Sequence, residues 1–367
     1  MKYPIRVLHI EVRGGIGGIE TFLLNLYTAI DKKKVQFDFI STASTVTLEK
    51  QLVCMGSTVY KIPEPYHILK YYKSLYKIIS ENKYSIVHIH KNSAANIIPF
   101  MICKKIGVKT IIAHSHNTSP IKGGVSKILH KINQKLLLKI QTNSFACSKV
   151  AAEWLYGKNY IRTNNVRIIK NGIQTRKFMF NEDKRKKIRN ELCINNESLV
   201  IGNVGRLMKQ KNQSFLIDIF YELLKEKPNS ILILCGTGEL ENELKDKVKN
   251  LNIDNKVLFL GLRKDVNDIM QAMDVFVFPS LYEGLPLVAI EAQCAGLPMV
   301  VSDTVSDEIR ISDLVQYISL NSPKSEWVKS IVNSYADNIR VDMSEVIQDN
   351  GYDISNTAKY FEDFYNI

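Results

Sequence analysis

Short apolar runs alternate along this chain with longer segments in which apolar residues recur every three or four positions. Residues 5–11 (IRVLHIE), 85–90 (SIVHIH) and 110–116 (TIIAHSH) are rich in β-branched residues and have the length of buried strands. Residues 21–30 (TFLLNLYTAI) show the periodicity of an amphipathic helix. Strands that alternate with helices form parallel sheets covered on both faces, so the pattern predicts an α/β fold.

The alternation begins again after a charged segment, residues 181–190 (NEDKRKKIRN). Five strand patterns follow it, at residues 199–205, 230–235, 256–260, 275–278 and 299–301. A length of 367 residues suits two domains that each bury a core. We therefore expect two Rossmann-like, doubly wound domains, residues 1–178 and 179–350, followed by an aromatic, helical segment, residues 351–367.

The charge is distributed unevenly between the two predicted domains. Residues 1–178 contain 28 Lys and Arg against 8 Asp and Glu, a net charge of +20. The remaining residues contain 21 against 29, which leaves −8 within a total of +12. This asymmetry indicates different partners for the two domains, and an anionic surface is a natural partner for the basic one.

The composition excludes several classes of protein. With 45% hydrophobic and 23% charged residues, the chain is typical of soluble globular proteins. No apolar run approaches the roughly 20 residues that span a bilayer, and the first residues predict a strand rather than a signal peptide. The six cysteines are scattered, which favours free thiols in a reducing cytoplasm.

Candidate chemistry is concentrated in residues 279–303 (PSLYEGLPLVAIEAQCAGLPMVVSD), which predict a loop, a helix and a strand. Glu283 lies in the loop at the end of one strand, and Glu291 lies one turn into the helix. Ligands of open α/β sheets bind where strand ends meet helix N-termini. Backbone N–H groups of this junction would suit a diphosphate, and the residues concerned are Gly284, Leu285, Leu287 and Val288. The two carboxylates would suit sugar hydroxyls.

Two further loops have the composition of anion sites. Arg206 and Lys211 follow a predicted strand and precede a helix, which also suits a diphosphate. Gly17 and Gly18 lie in the first strand-to-helix loop (RGGIGGIE), where backbone can approach a ligand closely. This loop is not a dinucleotide fingerprint, because Glu20 occupies the position of the third glycine. A plain tight turn is the alternative for this loop.

Two predicted strands end in a His-x-His pattern. His88 and His90 share one face, as do His114 and His116, because side chains alternate along a strand. A metal site is one possibility, but no carboxylate cluster accompanies these strands, and we expect no metal. The other possibility is a single histidine that contacts a sugar, with His114 and His116 as the two candidates.

Taken together, these motifs resemble glycosyltransferase family 4, whose members are retaining, nucleotide-sugar-dependent enzymes of the GT-B architecture. The E-x7-E spacing of Glu283 and Glu291, the Gly-Gly-x-Glu loop and the element containing Arg206 and Lys211 carry the resemblance. It covers nearly the whole chain. It implies two domains that face a central cleft, the donor nucleotide on the second domain and the acceptor on the first, with residues 351–367 crossing back to the first.

The resemblance also implies roles for single residues. Glu283 would bind the sugar ring, Glu291 the ribose, and the backbone near Arg263 the base. His116 would contact a sugar hydroxyl near the reacting carbon; relatives usually have His-Asp here, whereas this chain has Asn117 after the histidine. Gly17 and Gly18 would approach the donor. Arg206 and Lys211 would stabilise the departing diphosphate in place of a metal, and no cofactor is implied.

The expected reaction is transfer of a sugar from a nucleoside-diphosphate sugar, with UDP preferred, to a hydroxyl of a saccharide or lipid-linked saccharide. Retention of configuration and a place in cell-surface polysaccharide (capsule or exopolysaccharide) synthesis are implied by the family. Three alternatives stay open: a sugar-nucleotide epimerase of the same architecture, a phosphorylase, and a non-catalytic two-domain protein that binds sugar nucleotides. Formation of product from the donor alone would identify the epimerase.

A basic amphipathic segment, residues 126–140 (SKILHKINQKLLLKI), predicts where the basic domain acts. Its lysines recur every four residues, at Lys127, Lys131, Lys135 and Lys139. Such a helix can lie on an anionic membrane, or it can bury its apolar side in the core and leave the lysines in solvent. The net charge of +20 favours the membrane, so we expect a cytoplasmic protein on the inner face of the plasma membrane, with no nucleic acid partner.

Overall fold

The chain forms two compact units. The computed structural model describes residues 4–12, 14–15, 17–116, 124–283, 285–336 and 340–366. Unit 1 comprises Met1–Gly172 with Ile354–Ile367, and unit 2 comprises Ile173–Asp353. The division lies before the predicted boundary at residue 178, because Ile173 and Phe178 pack with unit 2 and the Thr175 hydroxyl donates to the Asp353 carboxylate.

Within the described residues, unit 1 contains a sheet of seven parallel strands in the order β3-β2-β1-β4-β5-β6-β7. The strands are β1 Ile5–Val12, β2 Val35–Ser41, β3 Val59–Lys61, β4 Ile86–Lys91, β5 Thr110–Ser115, β6 Asn143–Ala146 and β7 Arg167–Ile168. The chain proceeds outward from β1 in one direction and from β4 in the other. The strand order therefore reverses between β1 and β4, which makes this gap the switch point where doubly wound sheets bind ligands.

Helices cover both faces of the first sheet. They are α1 Gly18–Ala29, α2 Glu49–Cys54, α3 Ile68–Glu81, α4 Ile98–Ile106, α5 Gly124–Ile140, α6 Lys149–Tyr156 and α7 Lys158–Thr163. Apolar residues of α3, α4, α5 and α6 form the core on one face, and those of α1 and α2 form the core on the other. The Ser148 hydroxyl accepts a hydrogen bond from the Ala151 N–H, so it caps α6 as its position before the helix predicts.

In unit 2 the described residues form a sheet of six parallel strands in the order β10-β9-β8-β11-β12-β13. The strands are β8 Val200–Val204, β9 Ile231–Cys235, β10 Val257–Gly261, β11 Val275–Phe278, β12 Met299–Ser302 and β13 Val315–Ile318. The prediction of five strands was wrong because it omitted β13. This edge strand exposes Gln316 between Val315 and Tyr317, so it lacks the continuous apolar run of the other strands.

The helices of unit 2 surround this sheet. They are α8 Thr175–Phe178, α9 Glu182–Glu191, α10 Gln213–Glu226, α11 Glu241–Asn250, α12 Val266–Ala272, α13 Leu287–Cys294, α14 Lys324–Ala336 and α15 Ser344–Asp349. The strand order reverses between β8 and β11, so the loops that follow these two strands flank the switch point of unit 2.

The last helix, α16 Ile354–Tyr365, returns to unit 1. Its residues Phe361 and Tyr365 are fully buried against α1 and the first sheet. The Lys34 ammonium and the Glu362 carboxylate form an ion pair of 3.0 Å that holds the same helix at the amino end of β2. Among the described residues, no helix is both long and apolar enough to cross a bilayer.

Removing a buried ring from α16 tests how much this helix contributes to unit 1. Phe361→Ala should lower the free energy of unfolding of unit 1 by about 3–5 kcal/mol, because it leaves a cavity in the core. Urea denaturation followed by circular dichroism measures the change. Asp363→Ala, at an exposed position of the same helix, is the control and should change the free energy of unfolding little. Equal stability of the two variants would show that α16 is not part of the core of unit 1.

Candidate active site

Two loops lie side by side at the switch point of unit 2. One follows β8 and includes a 3-10 turn, Lys209–Lys211; the other follows β11. The backbone N–H of Leu281 donates to the Gln210 carbonyl at 2.8 Å, and the Gln210 side chain donates to the Tyr282 carbonyl at 2.9 Å. The Asn212 amide donates to the Pro279 carbonyl at 3.1 Å. These bonds bring together two elements that the sequence separates by more than a whole βα unit.

The contact between the loops is completed by an ion pair of two predicted site residues. The Lys211 Nζ lies 2.6 Å from the Glu283 Oε1, and both side chains are largely buried. The same Nζ lies 4.9 Å from the centre of the Phe278 ring, on the last residue of β11. An ammonium group has three N–H donors, so the contact with Glu283 leaves Lys211 able to donate to an anionic ligand as well.

Close packing of the neighbouring turns requires glycine at the end of β9. A Cβ atom on Gly236 would lie 2.0 Å from the Gly205 carbonyl oxygen, and Gly236 has a φ of +142°. A side chain here would push away the turn that precedes Arg206 and Lys211. The side chain of Arg206 itself is exposed at this edge, while its carbonyl accepts a hydrogen bond of 3.1 Å from Gln213.

The helix that follows Glu283 begins at Leu287, as predicted, and it carries the second carboxylate, Glu291. Leu287 and Val288 are the first residues of α13, and Leu285 lies just before it. Gly284 lies outside the described residues. Burial raises the pKa of the Glu291 carboxyl to about 7, because the charged form loses its hydration. Glu291 therefore titrates near neutral pH, unlike an ordinary surface glutamate.

Arg263 follows β10, two strands away from the switch point. Its guanidinium contacts Asp265 at 2.6 Å and Glu191 at 3.0 Å, so its side chain is bound to its own loop and to α9. The contact of the backbone near Arg263 with a base stays a prediction.

In unit 1, the glycine loop leads directly into α1. Gly17 precedes the helix and its carbonyl accepts from the Thr21 N–H at 2.9 Å, and Gly18 is the first helical residue. A Cβ atom on Gly17 would lie 2.9 Å from the end of the Glu20 side chain, which would have to shift to admit it. The loop follows β1, so it lies at the carboxyl edge of the first sheet.

Four buried histidines and the partly exposed His116 form two hydrogen-bonded rows on one face of this sheet. In the first row, the His90 ring bonds His9 at 3.0 Å and His116 at 2.8 Å. In the second, the His88 ring bonds His114 at 3.0 Å and the Tyr365 hydroxyl at 2.7 Å. The sequence pattern did not indicate His9, because this residue belongs to no His-x-His motif. His9 joins the row because it lies opposite His88 in the register of β1 and β4.

Burial keeps these imidazoles uncharged. It lowers the pKa of His9 and of His116 to about 3, and it lowers the pKa values of His88, His90 and His114 well below the usual 6.5. His116 lies at the partly exposed end of its row, just after β5, while His114 is fully buried. Of the two candidates for a sugar contact, His116 is therefore the more exposed residue. Asn117 lies outside the described residues.

The histidines could also hold a metal ion. His9, His88 and His90 form one group, and His90, His114 and His116 form another, each with donor atoms within 4.8 Å of one another. The hydrogen bonds between the rings already account for their close approach. The absence of a metal stays a prediction.

Comparison with known proteins places the chain in a family. Residues 16–177 match the family model described as Glycosyltransferase Family 4, and residues 184–311 match the model described as Glycosyl transferases group 1. A putative glycosyltransferase, EpsF, from Bacillus subtilis (strain 168) is 31% identical over 99% of this chain and 96% of its own length. The chain belongs to glycosyltransferase family 4.

Further relatives of this glycosyltransferase agree with the assignment. An Escherichia coli protein named UDP-Gal:alpha-D-GlcNAc-diphosphoundecaprenol alpha-1,3-galactosyltransferase is 26% identical over 98% of this chain and 96% of its own. The crystal structure of Anabaena Alr3699/HepE in complex with UDP has a TM-score of 0.78 at 18% identity, covering 98% of this chain and 99% of that one. WaaG, a glycosyltransferase involved in lipopolysaccharide biosynthesis, has a TM-score of 0.70 at 13% identity, covering 98% and 99%.

These likenesses confirm the predicted fold class, GT-B with two doubly wound parallel-sheet units. They also confirm the resemblance to glycosyltransferase family 4, which implied the roles of the site residues. The roles themselves stay predictions, and the structure adds that Lys211 and Glu283 act as a pair.

Replacing Glu291 by glutamine tests its unusual environment. Because its pKa is raised in the folded state, wild-type stability should fall as pH rises from the unfolded value, roughly 4.3, through about 7. Glu291→Gln removes this titration. The melting temperature of the variant minus that of the wild type should therefore be larger at pH 8 than at pH 5. Glu345→Gln, an exposed glutamate of unit 2, is the control. A difference in melting temperature between variant and wild type that is the same at both pH values would contradict the raised pKa of Glu291.

Proposed function

We propose that this glycosyltransferase moves a sugar from a UDP-sugar to a hydroxyl of a saccharide or lipid-linked saccharide during cell-surface polysaccharide synthesis. The transfer retains the anomeric configuration, uses no metal ion, and takes place on the inner face of the plasma membrane. The observation that carries the proposal is the ion pair of Lys211 and Glu283 at the switch point of unit 2, with Arg206 and Glu291 in the elements that follow the same two central strands.

Two cations and a helix N-terminus at this edge suit the diphosphate. Arg206 is exposed and Lys211 keeps N–H donors beyond its contact with Glu283. As the bond between the sugar and the diphosphate breaks, negative charge grows on the leaving oxygen, and preorganised donors stabilise it. This is the charge that a divalent cation neutralises in other sites, so no metal is required.

The two carboxylates suit the remainder of the donor. Glu283, fixed by Lys211, presents a carboxylate to the hydroxyls of the sugar ring. A carboxyl such as that of Glu291, with a pKa of about 7, can accept a hydrogen bond from a ribose hydroxyl or donate one to it. In unit 1, His116 contributes a neutral ring at the edge of the sheet, held in place by the contact of its Nε2 with His90.

The choice of donor and acceptor is supported by the relatives. The name of the Escherichia coli relative specifies a UDP-sugar donor and a diphosphate-linked lipid acceptor, and HepE was crystallised with UDP. Retention is supported by the family motif Glu-x7-Glu at Glu283 and Glu291.

The membrane contact is supported by α5. Most of its apolar side chains lie outside the core. Ile128 and Ile132 are 60% and 61% exposed, and among the described residues of this helix only His130, Leu137 and Ile140 are buried. The interpretation of α5 as an ordinary core helix was therefore wrong for most of its length. Exposed apolar side chains beside four exposed lysines match a bilayer with anionic head groups, which offers apolar chains and negative charge together.

The diphosphate contacts can be tested with alanine variants. Arg206→Ala and Lys211→Ala should each slow transfer by roughly 10²–10³ and weaken UDP binding, because each removes a donor to the diphosphate. Release of UDP from a panel of UDP-sugars, with N-acetylglucosaminyl-diphospho-undecaprenol as acceptor, measures transfer; calorimetry measures binding. NMR of the product reports the anomeric configuration.

Lys209→Ala is the matched control for these variants, since Lys209 is an exposed cation of the same loop. It should behave as the wild type. Unchanged affinity for UDP in both the Arg206 and Lys211 variants would contradict the assignment of the donor site.

The membrane contact predicts salt-dependent binding. Each lysine near an anionic surface contributes about 1 kcal/mol, and the attraction is screened over a Debye length of about 8 Å at physiological salt. The protein should sediment with phosphatidylserine-containing vesicles at low salt. Changing Lys127, Lys131, Lys135 and Lys139 to glutamine should weaken this binding at least about tenfold, whereas glutamine at Lys186 and Lys187 of α9 should not. Failure of the wild-type protein to bind such vesicles at low salt would indicate a soluble acceptor.

A further inference from the structure

A second ion pair of lysine and glutamate occupies the switch point of unit 1. Glu11 lies near the carboxyl end of β1 and Lys91 ends β4, the two strands between which the order reverses. The Lys91 ammonium contacts the Glu11 carboxylate directly. Nothing in the sequence pattern singled out either residue, because 80 positions separate them and their proximity depends on the strand order.

The backbone at Glu11 is unusual for a glutamate. Its φ is +80°, a conformation that residues with a Cβ atom rarely adopt. The pairing of β1 with β2 also shifts register between Ile10 and Val12, so Glu11 is the extra residue of a bulge. Bulges redirect a side chain, and strained backbone concentrates at sites that bind or react. The local structure thus holds this carboxylate in a direction that a regular strand would not give it.

The two partners differ in exposure. The side chain of Lys91 is 3% exposed, whereas that of Glu11 is 33% exposed. A buried ammonium needs a counter-charge, and burial alone lowers the pKa of Lys91 to about 7. Glu11 supplies that charge with one side of its carboxylate and keeps the other side at the carboxyl edge of the sheet. Lys91 therefore positions Glu11.

The pair is next to the histidine expected to contact sugar. The backbone N–H of His116 donates to the Lys91 carbonyl at 3.4 Å, and Lys91 pairs with Ser115 in the register of β4 and β5. An ionised carboxylate here repels a nucleotide diphosphate but accepts hydrogen bonds well from a neutral hydroxyl. A saccharide hydroxyl is therefore the ligand that the charge and exposure of Glu11 favour.

We propose that Glu11 binds the acceptor by accepting a hydrogen bond from the hydroxyl that becomes glycosylated, with Lys91 as its positioning residue. This proposal rests on the proposed function. In the transfer, the acceptor oxygen bonds to the anomeric carbon while the bond from that carbon to the diphosphate oxygen breaks. The bonding electrons and the hydroxyl proton pass to that diphosphate oxygen. Glu11 orients the hydroxyl and keeps its charge throughout.

The test separates the acceptor from the donor. Glu11→Gln keeps the shape of the side chain but removes its charge. It should lower kcat/KM for N-acetylglucosaminyl-diphospho-undecaprenol at least about tenfold, while the Kd for UDP and the slow hydrolysis of the UDP-sugar stay within about twofold of wild type. Glu362→Gln is the control, because it breaks an ion pair of unit 1 at the opposite, amino end of the strands. It should transfer as the wild type does.

A charge swap distinguishes acceptor binding from a purely structural pair. The double variant Glu11→Lys with Lys91→Glu restores the ion pair but moves the carboxylate into the buried position. It should melt closer to the wild type than Glu11→Lys alone does and should still transfer at least about tenfold more slowly than wild type. A swap that restores transfer, a Glu11→Gln variant with wild-type kcat/KM for the acceptor, or an equal loss of UDP binding and donor hydrolysis would each overturn the proposal.

If the wild-type protein transfers no sugar from any UDP-sugar, the proposed function fails, and this outcome is distinct from failure of the Glu11 proposal. Failure of the Glu11 proposal requires an active wild type whose acceptor kinetics do not depend on Glu11.

Discussion

The reversal of strand order is the constraint on which both halves of this glycosyltransferase depend. At a reversal the connecting helices leave toward opposite faces of the sheet, so the ends of the two central strands are left open between diverging loops. In unit 2 the ion pair of Lys211 and Glu283 bridges this gap, and in unit 1 that of Glu11 and Lys91 does so. Each pair fixes a carboxylate at the carboxyl edge of its sheet. In both sheets, therefore, an ion pair of lysine and glutamate joins the two elements that diverge at the reversal of strand order.

The histidine rows show how polar groups can be tolerated beneath such an edge. Buried imidazoles lose hydration, and the loss is offset when each ring bonds another ring or the Tyr365 hydroxyl. Because burial keeps every ring neutral, the rows add no net charge below the carboxylate of Glu11. His116 is the point at which this internal network meets the edge of the sheet, so its orientation depends on His90 behind it.

Strands, helices and the donor motif could be predicted because they are local. Runs such as VFVF in β11 have a strong apolar signal, and the Glu-x7-Glu spacing lies within one loop and one helix. The edge strand β13 was missed because an exposed Gln316 interrupts its apolar run. The roles of Glu11, Lys91 and His9 depend on which strands are neighbours, and strand order arises from packing across the whole unit. Exposure of α5 could not be predicted either, because periodicity shows that a helix has an apolar side but not what covers it.

The return of α16 to unit 1 has a consequence for how the chain matures on the ribosome. Unit 2 is an insertion in unit 1, since Ile173–Asp353 is synthesised before the helix that completes the first core. The two ends of this insertion are held together, with the Ile173 N–H donating to the Tyr352 carbonyl at 2.7 Å. Until α16 emerges, the nascent chain exposes the apolar face of α1 and the first sheet that Phe361 and Tyr365 later cover. The core of unit 1 is therefore completed only after the whole of unit 2 has been synthesised.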